Sequence, residues 1–256
     1  MRLQEWLSFA VEAAFQAGQL TLGYFQRQIT VERKADTSPV TIADREAEEL
    51  LRYLIEQKYP EHGILGEEFG EKVSSSALTW IIDPIDGTKS FIHGVPLYGV
   101  LIALVEEGYP LVGVLHFPAL RDTIYAAREI GCYWNGKRVH VSRVVSLSEA
   151  TLLTSGLEGF RKFPEKWQVW ERLMKQTAIQ RTWGDAYGYA LVATGRAEIM
   201  LDPEMSIWDA APVQVVLEEA GGYFMDWKGV STIEHQEGIG VNRVLKEPLL
   251  EVLAST

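Results

Sequence analysis

Apolar and polar positions in the first half of the chain predict two helices followed by antiparallel strands. Over residues 3–25, apolar side chains recur every three or four positions, which is the spacing of one helical face. A second helix is predicted after Thr41, a favoured N-cap residue, with Asp44 three positions later as in a capping box. The strands that follow include two hairpins, one turning at Glu107-Gly108 and one at Asn135-Gly136.

From about residue 147 onward the pattern changes to strands that alternate with helices. Strands are predicted at TLLTSG, AIQRTW, AEIMLD and YFMDW, and helices at FPEKWQVWERLMKQT, DAYGYALVATG and WDAAPVQVVLEEAGG. Alternation of this kind is typical of an α/β arrangement. No Ser/Gly-rich linker separates the halves. We therefore expect two packed subdomains, an α+β unit over residues 1–146 and an α/β unit over residues 147–256.

Composition argues against several classes of function. Of the 256 residues 47% are hydrophobic, enough for a large core. The net charge of −11 argues against nucleic-acid binding through a basic surface, although bound metal ions could still attract phosphate esters. No apolar run approaches the roughly 20 residues of a membrane span, and the first segment is expected to be a helix rather than a signal peptide. The single cysteine, Cys132, excludes an internal disulfide and favours the cytoplasm.

Carboxylates recur where a predicted strand or loop meets a turn or the start of a helix. They are Glu67 and Glu68 in GEE, Asp83 and Asp86 in WIIDPIDGT, and Asp209 in WDAAP. The apolar run LTWIID predicts a buried strand that ends at Asp83. Each carboxylate has an ordinary structural explanation, as a solvated loop residue, a turn residue or a helix N-terminal residue. The combination points further, because Mg²⁺ prefers oxygen ligands that converge from several segments. The sequence therefore predicts a metal site.

The DPIDGT turn has the chemistry to hold both a metal ion and a phosphate. Its proline would let Asp83 and Asp86 converge and would leave the Ile85 carbonyl free to point inward. Gly87 and Thr88 follow with backbone N–H groups that suit phosphate oxygens. Because like charges repel in a cluster, an anionic phosphate ester could approach only after a cation had neutralised the carboxylates.

In this order and spacing, GEE, WIIDPIDGT and WDAA resemble the motifs of the inositol monophosphatase family. The resemblance spans nearly the whole chain, from the Asp44 helix to WDAAPVQVVLEEAGG. It implies the layered αβαβα sandwich of the inositol monophosphatase/fructose-1,6-bisphosphatase type, of mixed α+β and α/β character. It also implies a metal-dependent phosphatase with two or three Mg²⁺ ions per active site, and a homodimer.

The same resemblance implies the metal ligands. Glu67, Asp83 and the Ile85 carbonyl would hold one Mg²⁺, and Asp83, Asp86 and Asp209 would hold a second, with Asp83 bridging. Such an arrangement has a physical reason, since two ions about 3.5 to 4 Å apart can clamp both the attacking and the leaving oxygen of an in-line displacement.

For catalysis the resemblance implies that Glu67 and Thr88 position the attacking water, with Asp44 orienting the Thr88 hydroxyl. Glu68 would support the site without binding a metal. The predicted substrate contacts are Asp86, Gly87, Thr88, Gly184, Asp185, Ala186, Asp202 and Asp209. No covalent nucleophile is needed, because phosphoryl transfer depends mainly on positioning and charge neutralisation.

The second half resembles the histidinol-phosphate phosphatases of this superfamily through GDAYGYALVATGRAEIMLDP. Inositol-type members usually have a small residue where this chain has Asp185. A carboxylate there could pair with the ammonium of histidinol phosphate, while Trp183 or Tyr187 lies against its imidazole. The residues alone leave open that Asp185 is only the N-cap of the following helix. Asp202 resembles the acidic position that contacts the polyol in inositol enzymes.

The sequence thus predicts a Mg²⁺-dependent phosphomonoesterase, and histidinol phosphate is the favoured substrate. One alternative is an inositol-1-phosphate phosphatase of broad specificity. Another, from a different class, is a non-catalytic phosphate-ligand sensor or assembly factor on the same fold. The expected partners are a small phosphate ester and a second copy of the chain, with neither nucleic acid nor membrane.

Overall fold

The computed structural model describes residues 2–35 and 37–255 of the chain. Its α-helices are α1 (Arg2–Tyr24), α2 (Ile42–Lys58), α3 (Thr88–Ile92), α4 (Pro164–Gln176), α5 (Ala186–Ala193), α6 (Ile207–Glu219) and α7 (Lys246–Ala254). Short 3₁₀ turns cover Leu147–Glu149 and Gly159–Lys162. In the part of the chain that is described, no helix combines the length and the apolar character that a bilayer crossing requires.

Strands of the first half are β1 (Val31–Arg33), β2 (Pro39–Thr41), β3 (Gly63–Gly66), β4 (Gly70–Lys72), β5 (Leu78–Asp86), β6 (Gly99–Glu106), β7 (Tyr109–Phe117), β8 (Asp122–Ala127), β9 (Gly131–Trp134) and β10 (Lys137–Arg138). The first two pair as a small ribbon, and the other eight form one sheet in the order β10-β9-β8-β7-β6-β5-β3-β4. Both predicted hairpins are present, and their turn residues have the positive φ angles that tight two-residue turns require.

Strands of the second half are β11 (Thr151–Leu153), β12 (Ile179–Arg181), β13 (Ile199–Asp202), β14 (Tyr223–Met225) and β15 (Gly238–Val241). They form a five-stranded sheet in the order β12-β11-β13-β15-β14. β11 pairs in parallel with both β12 and β13, whereas β15 runs antiparallel to its neighbours. The predicted alternation of strands and helices is therefore confirmed, and helices connect the parallel strands as they must.

Five layers of helices and sheets enclose the three largest clusters of buried apolar side chains. α1 and α2 pack on one face of the large sheet, and α4 and α7 pack on one face of the small sheet. α5 and α6 fill the space between the two sheets. Along β5 the side chains alternate between clusters, since Trp80 and Ile82 face α1 and α2 while Ile81 faces the central helices. The predicted αβαβα sandwich is confirmed.

Helix α6 joins the two halves and lies very close to the large sheet. A Cβ atom on Gly113 in β7 would lie 2.4 Å from the Pro212 carbonyl oxygen of α6, so only glycine allows this approach. The same helix also packs on strands of the small sheet. The halves therefore share a core, and the division at residues 146 and 147 stays a proposal about chain organisation.

Candidate active site

Asp83 and Asp86 reach the same place because β5 contains a bulge. The strand does not end at Asp83, as the sequence suggested, but continues to Asp86. Its register against β6 shifts by one residue, from Asp83 opposite Leu101 to Asp86 opposite Gly99. In a regular strand, residues three apart point to opposite faces, and one extra residue corrects this. The predicted end of the strand was wrong, but the predicted convergence of the two aspartates is present.

A group of three carboxylates forms the centre of the site. Asp83, Asp86 and Asp209 each offer an oxygen, and these oxygens lie within 4.8 Å of one another. Burial, with the charge of Glu67 next, raises the pKa of Asp83 well above its usual value, and the pKa of Asp209 to about 7. Burial and the charge of Asp185 raise the pKa of Asp86 well above its usual value. Such a group suits a hard divalent cation, whose oxygen ligands it supplies and whose charge would stabilise the ionised carboxylates.

Asp209 performs two tasks at the start of α6. It is the third residue of the helix and forms a capping box with Ser206, whose backbone N–H lies 3.2 Å from Asp209 Oδ2. The ordinary explanation for this residue is therefore true, and the residue belongs to the carboxylate group as well. The helix carries it across the shared core to the end of β5 in the other half of the chain.

Asp44 lies close to Thr88, the last residue of the DPIDGT turn, as the resemblance implied. Asp44 Oδ2 accepts hydrogen bonds from the Thr41 backbone N–H at 2.8 Å and hydroxyl at 2.6 Å, which completes the predicted capping box of α2. Its other oxygen lies 3.4 Å from the Thr88 hydroxyl. That hydroxyl is also 3.1 Å from the Ile85 carbonyl oxygen. Asp44 thus caps a helix and contacts Thr88 through different oxygens.

Glu67 and Glu68 occupy the turn between β3 and β4, next to the carboxylate group but not within its 4.8 Å limit. Lys34 bridges them, with its Nζ 2.8 Å from Glu67 Oε1 and 2.6 Å from Glu68 Oε1. Burial raises the pKa of Glu68 to about 7. Sequence reasoning missed Lys34, because a single lysine in a short loop carries no pattern.

Asp185 precedes α5, yet its side chain makes no capping hydrogen bond. Asp86 takes that role instead, since its Oδ2 accepts from the Ala186 N–H at 2.8 Å. The Asp185 carboxylate reaches Gly87 of the DPIDGT turn, because a Cβ on Gly87 would lie 2.8 Å from Asp185 Oδ2. The backbone φ of Asp185 is +50°, in a region that residues other than glycine rarely adopt. The simple N-cap explanation therefore does not describe this residue.

Asp202 faces Asp185 across a small cavity. Burial raises the pKa of each of these two carboxyls to about 6. Ser155 connects them, because its backbone N–H donates to Asp202 Oδ1 at 3.1 Å and its hydroxyl accepts from the Asp185 N–H at 3.1 Å. Gly184 is packed so closely on Ser155 that a Cβ would lie 2.0 Å from the serine Cα. Sequence reasoning missed Ser155, which has no motif of its own.

The cavity between the halves has a volume of about 120 Å³ and adjoins a cleft of about 500 Å³. The cavity is lined by Asp86, Ser155, Asp185, Ala186, Tyr189, Asp202, Glu204, Met205 and Asp209. The cleft adds Lys89, Glu158 and Lys162, among others. Trp183 and Tyr187 line neither, since Trp183 is exposed beneath Arg181 and Tyr187 packs edge-on against Phe117.

Comparison with known proteins extends the similarity over the whole chain. The model of the inositol monophosphatase family matches residues 2–256. A histidinol-phosphatase of Chlorobaculum parvum is 45% identical over 251 residues, which cover 97% of this chain and 96% of that protein. A histidinol-phosphatase of Mycobacterium tuberculosis is 37% identical, covering 95% of this chain and 96% of its own. The solved IMPase of Thermotoga maritima has a TM-score of 0.89 and 31% identity, with 98% of this chain and 97% of that chain covered.

Proposed function

Because the chain belongs to the inositol monophosphatase family and is a phosphatase of that family, we propose that it hydrolyses L-histidinol phosphate to L-histidinol and phosphate with Mg²⁺. The observation that carries the substrate assignment is Asp185, whose carboxylate reaches Gly87 instead of capping α5. Together with Asp202 it gives the cavity beside the metal ligands an anionic wall. The two relatives named histidinol-phosphatase support the same assignment.

A substrate with an anionic and a cationic end fits this charge distribution. Its phosphate would lie at Gly87 and Thr88, beside the group that holds the metal ions. Its ammonium would lie against Asp185 and Asp202, where a charge-assisted hydrogen bond is about twice as strong as a neutral one. Inositol phosphate carries only neutral hydroxyls besides its phosphate, so it would leave a buried acidic wall without a cation.

The metal ligands in this proposal are Asp83, Asp86 and Asp209, with Glu67 and the Ile85 carbonyl. When bound, the ions would neutralise the phosphate and stabilise the charge that develops during transfer. Thr88 would act on the water, since its single hydroxyl proton goes to the Ile85 carbonyl oxygen at 3.1 Å or to Asp44 Oδ1 at 3.4 Å. Either donation leaves oxygen lone pairs that can accept a hydrogen of that water. Attack in line would form a P–O bond to the water oxygen and break the ester P–O bond, and a proton lost from that water would pass to the leaving alcohol oxygen to give histidinol.

Phosphate release from three substrates tests this function directly. We expect kcat/KM to be highest for histidinol phosphate, lower for inositol-1-phosphate, and lowest for glycerol 2-phosphate. A preference for inositol-1-phosphate would favour the alternative of a broad inositol monophosphatase. No Mg²⁺-dependent release from any of the three would favour a non-catalytic phosphate-ligand sensor or assembly factor.

Removing the charge of Asp185 should change specificity rather than general activity. We expect Asp185→Asn to lower kcat/KM for histidinol phosphate at least about tenfold, since breaking one buried charge pair costs about 2 to 5 kcal/mol and less in a wet site. Activity on glycerol 2-phosphate should stay near wild type. Asparagine is preferable to alanine here because it tolerates a positive φ.

An exposed carboxylate away from the cleft provides the control for this variant. Glu171 lies on α4 and lines neither the cavity nor the cleft, so Glu171→Gln removes an equal charge without touching the site. It should leave both substrates within about twofold of wild type, as exposed charges contribute little. An equal loss on both substrates in Asp185→Asn would mean that Asp185 only maintains the local structure.

Three further features remain proposals. We propose two or three Mg²⁺ ions per site, a homodimer, and a cytoplasmic location consistent with the single buried cysteine, Cys132. Sedimentation at several protein concentrations would test the dimer, and a metal titration would give the number of ions.

A further inference from the structure

Glu48 is a fully buried carboxylate on α2, one helical turn after Asp44. It accepts hydrogen bonds from the backbone N–H groups of Glu68 at 2.7 Å and Phe69 at 3.1 Å. Arg52, one turn further along the helix, donates to it at 2.8 Å. A buried charge of this kind is stable only when its oxygens are paired, and here three donors converge on it.

These contacts fix the turn between β3 and β4 from the side of the helix. A Cβ atom on Gly66 would lie 2.1 Å from Glu48 Oε1, so the carboxylate is pressed against the start of the turn. Arg52 also donates to the Gly70 carbonyl at the other end of the turn. One Glu-Arg pair on α2 therefore holds both ends of the segment that carries Glu67.

From this geometry we propose that Glu48 is a positioning residue for the metal site. Glu67 lies between the two points that are held, and its charge acts on both Asp83 and Asp209. The Glu67 carboxylate itself is paired with Lys34, so the backbone that Glu48 and Arg52 hold sets how close this residue lies to the group. The proposal rests on the metal-dependent function above and adds a residue that itself binds no metal.

Metal binding in the absence of substrate tests the proposal. Chelator-treated and dialysed protein is titrated with Mn²⁺ in a calorimeter, for wild type, Glu48→Gln and the control Glu49→Gln. We expect the Mn²⁺ dissociation constant to rise at least tenfold in Glu48→Gln, because an amide would present N–H groups to the backbone donors. Glu49 is exposed on the same helix, so its variant should bind Mn²⁺ like wild type.

Gly66→Ala provides a second variant that keeps every charge in place. Its added methyl group would push the Glu48 carboxylate away from the turn, and we expect a similar loss of Mn²⁺ affinity. Measuring the melting temperature of each variant separates stability from binding. If folded Glu48→Gln and Gly66→Ala bound Mn²⁺ as tightly as wild type, Glu48 would be a structural residue and the proposal would be overturned.

The outcomes also separate this proposal from the proposed function. Wild-type protein that bound no Mn²⁺ would overturn both. Wild-type protein that bound Mn²⁺ without preferring histidinol phosphate would overturn the substrate assignment alone. If Glu48→Gln did not fold, the result for Gly66→Ala would decide.

Discussion

Asp83→Asn is expected to lower kcat by about a thousandfold or more, the scale of a lost electrostatic contact in a transition state. Asp83 shares a group of carboxylate oxygens within 4.8 Å with Asp86 and Asp209. An amide in its place would weaken the binding of every metal ion that the group holds. Phosphate release at saturating Mg²⁺ measures the effect, and full activity of this variant would contradict the proposed metal site.

The same variant should be more stable than wild type when both are free of metal. Burial raises the pKa of Asp83 in the folded protein, so folding opposes its ionisation. The free energy of unfolding should therefore fall as the pH rises from about 4, the usual aspartate pKa, toward the raised pKa of Asp83 in the folded protein. Asparagine does not ionise, so the variant should not show this loss of stability. At pH 7 in EDTA we expect a higher melting temperature, by about 2 to 4 °C for each kcal/mol recovered.

Below about pH 3 the two proteins should melt alike, because Asp83 is then protonated in both states. Chelation provides the matching test on wild-type protein. EDTA should remove its activity, and added Mg²⁺ should restore it. Activity that survives exhaustive chelation would contradict metal-dependent hydrolysis, whatever the variant does.

Thr88→Ala should lower kcat by about a hundredfold while KM changes by less than about threefold, the pattern of a contact made mainly in the transition state. The reason is the network around its hydroxyl, which lies 3.4 Å from Asp44 Oδ1 and 3.1 Å from the Ile85 carbonyl oxygen. Without the hydroxyl, the attacking water would lose the group that orients it. Steady-state kinetics on histidinol phosphate measures both constants.

Thr88→Ser is the control, because it keeps the hydroxyl and removes only a methyl group. It should retain most of the wild-type kcat. If Thr88→Ala raised KM and left kcat unchanged, the residue would bind phosphate in the ground state and take no part in orienting water. Equal losses in the alanine and serine variants would point to the packing of the methyl group instead.

Local features of this protein follow from short stretches of sequence. The capping box of Thr41 and Asp44, the tight turn at Asn135-Gly136 and the helix that carries Asp209 were all predicted and are all present. Each depends on residues within about four positions of one another, where side-chain caps and turn preferences act directly. The order of the three acidic motifs was also enough to indicate the family.

Tertiary structure alone decided how the site is put together. The predicted strand end at Asp83 is in fact a bulge between Asp83 and Asp86. The N–H at the start of α5 is capped by Asp86, 100 positions away in sequence, and not by Asp185. The tertiary structure also revealed the roles of Ser155, which binds Asp202, 47 positions away, and of Glu48, which binds the Glu68 backbone, 20 positions away. Contacts over such distances form only when separate elements pack together. Local sequence preferences cannot predict these contacts, because the secondary structure that each residue favours does not depend on its distant partner.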